Sequence, residues 1–271
     1  MKPATIDEAH RPTVVLLHSS GSSARQWQDL VETLRHQFRV FAVEFHGHGM
    51  CPDWRGDRPL TLADEAAIAV PLLEMAGGAH VVGHSYGGAV ALHIAATHPR
   101  LVRSLVAYEP VVFRLLLEHE EAGNELRGFV SAARVTRDCV EQGELLQAAR
   151  RFTEYWAGTG AWQALPASRQ EAMALRMPSV MRQFDALFGT PVPTGQLSRS
   201  GIPMLFLGGA RTVPAGRRIV QLLRDALPPA EHEELPGMGH MGPITHAVRV
   251  NERISRFLHA HEARELALMT P

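Results

Sequence analysis

The chain has 271 residues, with 27 Lys and Arg against 28 Asp and Glu, for a formal charge of −1 with histidine neutral. That balance excludes the basic excess of a nucleic-acid footprint, and no apolar run reaches the roughly 18 residues that would span a bilayer. With 45% hydrophobic and 20% charged residues, there is enough apolar side chain for one well-buried core.

The polar segment 1–11 lacks the apolar stretch of a signal peptide. Cys51 and Cys139 stand far apart with no CxxC, which is neither a disulfide framework nor a zinc knuckle and suits a reducing compartment, the cytoplasm. The 15 histidines are the compositional oddity. Number alone does not separate metal binding, proton chemistry and ordinary packing.

In chain order, continuous apolar runs at 13–17, 39–43, 80–83, 104–108 and 203–207 predict strands covered on both faces, the habit of parallel sheets. The more polar 231–235 is expected at a sheet edge. Trp27, Leu30, Val31 and Leu34 recur at helical spacing behind a capping box of Ser23 and Gln26. A second helix begins near Thr61, where Pro71 should kink or shorten it. A third runs over 87–97 and stops before Pro99. A fourth enters at Pro214 and turns Ile219, Val220, Leu222, Leu223 and Leu227 inward. The last covers 246–266, with Ala247, Val250, Ile254, Phe257 and Leu258 on one face. Alternating strands and helices predict an α/β fold, a doubly wound, mostly parallel sheet of about six strands.

One stretch interrupts the alternation. Between 111 and 199 only helical patterns occur, at 113–121, 125–141, 144–155, 168–174 and 179–188, punctuated by Gly and Pro. A single crossover needs far fewer residues. The expectation is a helical cap over 111–199, inserted into a core formed by 1–110 and 200–271. Phe113, Trp156, Trp162, Met177 and Phe184 are candidates to line an apolar substrate pocket in that cap, although the same spacing suits plain core packing.

Gly83-His84-Ser85-Tyr86-Gly87 is a G-x-S-x-G segment between a predicted strand and a predicted helix. A sharp turn there raises the Ser85 hydroxyl above the sheet at a helix N-terminus, whose free N–H groups favour developing negative charge. Small flanking residues let such an elbow pack. The strand-turn-helix setting lends the five-residue match its specificity.

With this motif the chain resembles the α/β-hydrolase superfamily. His18-Ser19-Ser20-Gly21 follows the first strand, where the family usually shows His-Gly-x-Gly, with Ser19 in place of glycine. Glu44-Phe45-His46-Gly47-His48-Gly49 is similar to the family's acidic turn after the next strand. His46 and His48 stand at a metal-pair spacing without a third ligand cluster, so they read as loop histidines. The resemblance implies Ser85 as nucleophile, with backbone N–H groups of Ser20 and Tyr86 as oxyanion hole. It also implies a base late in the chain, and His240 in the glycine-rich 236–242 loop fits. His84 is expected to pack or bond locally.

The superfamily's commonest acid position lies after strand 203–207, where Gly208-Gly209-Ala210-Arg211-Thr212 carries no carboxylate. Glu109, at the end of strand 104–108, offers one in the family's chain order, and neighbouring strand ends lie only about 5 Å apart. Glu109 is taken as the acid; its other reading is a carboxylate that caps a helix or pairs with an arginine, with Arg211 as the candidate partner. The resemblance implies a serine hydrolase, forming an acyl-enzyme on a small, apolar ester or lactone, and cofactor-free haloperoxidase-like activity fits the same residues. No phosphate loop or dinucleotide motif is present, so no cofactor is expected, and no metal. Carbon–carbon bond hydrolysis and a non-catalytic, receptor-like binding role fit the same constellation, and Ser19 and the displaced acid favour the latter. Only a dozen residues precede the first strand, too few for the family's N-terminal hairpin, and the edge left uncovered is compatible with a homodimer.

Overall fold

The computed structural model describes residues 11–119 and 123–269. The polar segment 1–11 lies mostly outside them, as do Glu120 and Glu121 at the end of the expected 113–121 helix. Six strands form one sheet: β1 (Thr13–Leu17), β2 (Arg39–Val43), β3 (Ala79–His84), β4 (Val102–Tyr108), β5 (Met204–Gly209) and β6 (Glu231–Leu235). Their order is β2-β1-β3-β4-β5-β6, and every neighbouring pair is parallel. The polar β6 takes one edge and β2 the other.

The pleat explains the continuous apolar runs. Val15, Leu17, Val81, Leu105 and Phe206 face one core with α2 (Leu62–Met75), α3 (Tyr86–Thr97) and α9 (Pro214–Ala226). Val14, Leu16, Val82, Val106 and Leu205 face the other, against α1 (Gln28–Leu34) and α11 (Ala247–Met269), through Leu30, Leu34, Ile254 and Leu258. Both faces of each inner strand are therefore dry, so alternation between polar and apolar residues is absent.

Between β4 and β5 the chain forms α4 (Phe113–Leu117), α5 (Gly123–Glu141), α6 (Leu145–Ala157), α7 (Ala167–Gly189) and α8 (Thr194–Arg199). No strand lies among the described residues of this stretch. Two helices expected at 168–174 and 179–188 are one: α7 continues through Pro178. Likewise α2 runs through Pro71 to Met75 rather than ending early. In each helix the proline costs one backbone hydrogen bond, and the apolar face buried on both sides of it holds the helix together.

The expected Ser23–Gln26 capping box does not form. Ser23 makes no side-chain cap bond, the chain enters as a 3-10 turn at Ala24–Trp27, and Gln26 is used elsewhere. A complete capping box instead starts α2, with Thr61 and Asp64 exchanging side-chain and backbone bonds.

Candidate active site

The strand order reverses direction between β1 and β3, and in open α/β sheets the crevice beyond the strand ends at such a point is the usual ligand site. Two sequence motifs open directly into that crevice. His18–Gly21 follows β1, and Ser85 follows β3.

Ser85 has φ 56° and ψ −115°, a conformation that L residues avoid. Its N–H donates to the Tyr108 carbonyl at 3.0 Å, while its carbonyl accepts from Ala89 and Val111. The motif's glycines are required by contact. A Cβ at Gly83 would lie 2.3 Å from the Gly87 carbonyl oxygen, and one at Gly87 would lie 2.2 Å from that of Leu17. The Ser85 turn, helix α3 and strand β1 thus meet backbone to backbone.

Glu109 stands one residue beyond β4, with its N–H bonded to Leu207 at 2.8 Å. It has φ 41°, and Ser85 and Glu109 are the two non-glycine residues in the left-handed region among the described residues. Its Oε1 accepts from the Gly209 N–H at 2.7 Å, and its Oε2 from the Thr212 hydroxyl at 2.5 Å. The missing carboxylate of the β5 loop is therefore matched by donors there that receive the Glu109 side chain. Arg211 is not its partner: the side chain is exposed, and only its backbone N–H is engaged, on Met238.

His240 joins the two. Its Nδ1–H donates to Glu109 Oε2 at 2.7 Å, and Ser85 Oγ–H donates to its Nε2 at 2.9 Å. All three residues are buried, with 5% of Ser85, 3% of His240 and 1% of Glu109 exposed. The loop carrying His240 is tied down along its backbone. Tyr108 OH donates to the Gly239 carbonyl at 2.8 Å, and His84 Nε2–H donates to the His240 carbonyl at 2.8 Å. His84 thus bonds across the sheet end rather than locally. Burial and the neighbouring His240 push its pKa well below the ordinary value, which keeps it a neutral donor.

The oxyanion candidates lie on the two loops. Tyr86 opens α3, and among the described residues neither its N–H nor that of Ser20 is given to a backbone acceptor. The Gly87 N–H donates to the His18 carbonyl at 3.1 Å, which fixes the spacing of the two loops. Ser19 fits without strain, because the positive φ of this turn falls on Gly21, at 70°. Its N–H and hydroxyl both donate to Gln26 Oε1, at 3.1 and 2.8 Å.

His48 completes the turn by accepting the Gly21 N–H at 3.1 Å, with its Nδ1–H on the His46 carbonyl. Burial first, then the charge of His18, lowers its pKa to about 4, so it remains an acceptor. Among the described residues no group of three or more His, Cys, Asp or Glu is placed to hold a metal ion.

Of the five residues expected to line a pocket, Trp156 reaches the site, lying over the His240 ring at 4.1 Å between centroids. Phe113 and Phe184 pack with Phe129 and Phe188 in an aromatic cluster. Met177 has no exposed surface, and Trp162 is 8% exposed. A cleft of about 520 Å³ between Pro99 and Arg264 lies at the opposite end of β4 and β5 and touches none of these groups.

Three contacts reach the core from α7. Arg176 donates to the Gly21 carbonyl at 2.9 Å, Ser179 donates to Asp53 at 3.0 Å, and Arg182 pairs with the same carboxylate at 2.8 Å. Gly21 also lies against Met173, whose sulfur would sit 2.6 Å from a Cβ there. Thr212, Tyr108 and Arg176 carried no sequence signal for these contacts, since each acts on residues remote along the chain, and Gln26 was expected to cap its own helix rather than to hold Ser19.

The matches to known proteins agree with this architecture. Residues 14–253 match the model of the alpha/beta hydrolase family, and the chain belongs to that family. It is 32% identical to lipase LipV of Mycobacterium tuberculosis over 146 residues, which cover 53% of this chain but only about half, 51%, of the lipase. It is 28% identical over 239 residues to a pimeloyl-[acyl-carrier protein] methyl ester esterase of Chromobacterium violaceum, covering 87% of this chain and 89% of that protein. Among solved structures, MGS-M2, an alpha/beta hydrolase enzyme from a deep-sea metagenome library, superposes with a TM-score of 0.76. That superposition covers 94% of this chain and 92% of the other at 16% identity, a likeness of fold. No helix among the described residues is long and apolar enough to cross a membrane.

Proposed function

We propose that the protein is a serine hydrolase that cleaves a carboxylic ester of a small, apolar acid through an acyl-enzyme. In this reading Ser85 is the nucleophile, His240 the general base and acid, and Glu109 the carboxylate that holds the imidazole tautomer. The N–H groups of Ser20 and Tyr86 receive the oxyanion, and the helices over 111–199 act as a cap above the crevice. The observation that carries it is the unbroken line Ser85 Oγ, His240, Glu109, with bonds of 2.9 and 2.7 Å in a buried site. Such a line lets the Ser85 proton pass to Nε2 as Oγ attacks, while the carboxylate stabilises the resulting imidazolium.

Matches to proteins named lipase and methyl ester esterase favour an ester over a carbon–carbon bond as the substrate. The grounds for a binding-only role weaken, because Ser19 is accommodated by Gln26 and Glu109 lies within reach of His240. Hydrolysis of a p-nitrophenyl acyl ester tests the proposal. Ser85→Ala is expected to lower kcat by about 10⁴- to 10⁶-fold, and equal rates for parent and variant would overturn it.

A further inference from the structure

Both ring nitrogens of His240 are committed, to Ser85 and to Glu109, so further partners can meet the imidazole only at its faces or carbon edges. The indole of Trp156, on α6, lies over it with centroids 4.1 Å apart and planes inclined by 31°. Trp156 is itself held by neighbours, with Tyr155 edge-on at 5.0 Å and Phe129 at 6.1 Å. With 6% of its surface exposed, it meets the imidazole away from bulk water.

Resting on the serine-hydrolase reading above, we propose that Trp156 is a positioning residue of the reaction, whose indole face stabilises the imidazolium form of His240. That cation arises twice in a turnover. As Ser85 Oγ bonds to the acyl carbon, its proton moves to Nε2. It then goes to the leaving alkoxide as that oxygen's bond to carbon breaks, and water repeats the sequence on the acyl-enzyme. The negative face of an indole attracts an imidazolium more strongly than a neutral imidazole. The gain therefore belongs to the transition states rather than to substrate binding and falls on kcat. The other polar groups at the ring are Ser85 and Glu109, with the neutral His84 ring 5.2 Å away. Trp156 thus supplies an apolar, electron-rich face for the charge. It also makes base chemistry depend on the seating of α6.

The test compares Trp156→Phe and Trp156→Leu on a p-nitrophenyl ester, alongside labelling of Ser85 by a fluorophosphonate followed by mass spectrometry. Trp156→Leu is expected to lower kcat by about 5- to 30-fold at unchanged KM. Trp156→Phe, which keeps an aromatic face, recovers most of that loss. Without the indole the imidazolium is less favoured, so the acid limb of the kcat/KM profile moves to lower pH in the Leu variant. A structural role alone would leave that limb in place. Equal kcat for the Phe and Leu variants, or an unmoved acid limb, overturns the inference about Trp156. Failure of the fluorophosphonate to label Ser85 in the parent protein overturns the serine-hydrolase reading instead.

Discussion

The sheet side of the site and the helical side are held by different means. On the sheet side, Ser85 and Glu109 each stand one residue past the end of adjacent parallel strands, and ladder bonds to Tyr108 and Leu207 carry their backbones into place. Their positions follow from strand register, with His84 opposite Tyr108 and Tyr108 opposite Leu207. On the helical side no ladder exists. Trp156, Met173 and Arg176 arrive through side-chain packing and single hydrogen bonds. A register is an all-or-none specification, because slipping it by one residue turns every side chain over. Helix packing tolerates small shifts, so the helical side is the place where a family on this scaffold can change its pocket while its chemistry stays fixed.

After Ser85→Ala, the largest expected effect probes the sheet side. Glu109→Gln keeps an oxygen for the Gly209 N–H but sets an amide NH2 where Oε2 accepted from both Thr212 and His240 Nδ1, so the imidazole loses its carboxylate partner and the tautomer it imposes. A fall in kcat of about 10²- to 10⁴-fold with KM unchanged is expected. Steady-state kinetics on a p-nitrophenyl ester, with circular dichroism to check folding, decides it. Full activity in a folded variant would show that placement at a strand end does not make Glu109 the acid.

A smaller effect concerns stability, at Glu65 on the sheet side. This carboxyl on α2 is fully buried and accepts from Tyr86 OH at 3.2 Å and from the His46 N–H at 3.1 Å. Burial pushes it up from 4.5 to about 7, against those two bonds. Between those pH values the folded state keeps a proton that the unfolded chain has released. Stability therefore falls as pH rises through the interval, and the loss is complete above about 7. At about 1.4 kcal/mol per pH unit the total is about 3 kcal/mol. Glu65→Gln removes this dependence, so its stability relative to the parent rises by about that amount between pH 4.5 and 7.5. Urea unfolding of both proteins at the two pH values measures it, and a constant difference would mean that Glu65 is ionised in the fold.

What the amino-acid sequence disclosed follows the same division. Strands β1, β2 and β6 begin and end where the apolar or edge-like runs do. β1 is dry on both faces and leaves an unbroken run, whereas β2, expected to be covered on both faces, lies at a sheet edge and is mostly only partly buried. Ser85, Glu109 and His240 could be singled out because motif and chain order mark them, and the structure brings them within hydrogen-bond distance. Prolines misled twice, at Pro71 and Pro178, because tertiary burial of a helix outweighs one lost backbone bond. The Ser23–Gln26 pairing failed because a side chain free to cap its own helix was drawn to Ser19, seven residues back. Hidden altogether were Thr212 and Tyr108, which act between residues more than 100 positions apart. The Arg211–Glu109 pair was expected because Arg211 stands where the family's acid usually does, yet the Gly209 N–H and the Thr212 hydroxyl fill that place.

The smallest effect tests the helical side for looseness. Gly128 lies in the interior of α5, is exposed, and would meet nothing within 4 Å if given a Cβ. Its φ is not in the left-handed region, so alanine can take its conformation without strain. Gly128→Ala should then stabilise the protein by about 0.5–1 kcal/mol, chiefly by narrowing the unfolded ensemble. For a chain of this size, the melting temperature should rise by about 1–4 °C. If the helices serve only as a packed wall, kcat and KM stay at the parent values while the melting temperature rises. A rise accompanied by a lower kcat would show that movement of α5 is used in turnover. That result would agree with a site in which only 5% of Ser85 is open to solvent.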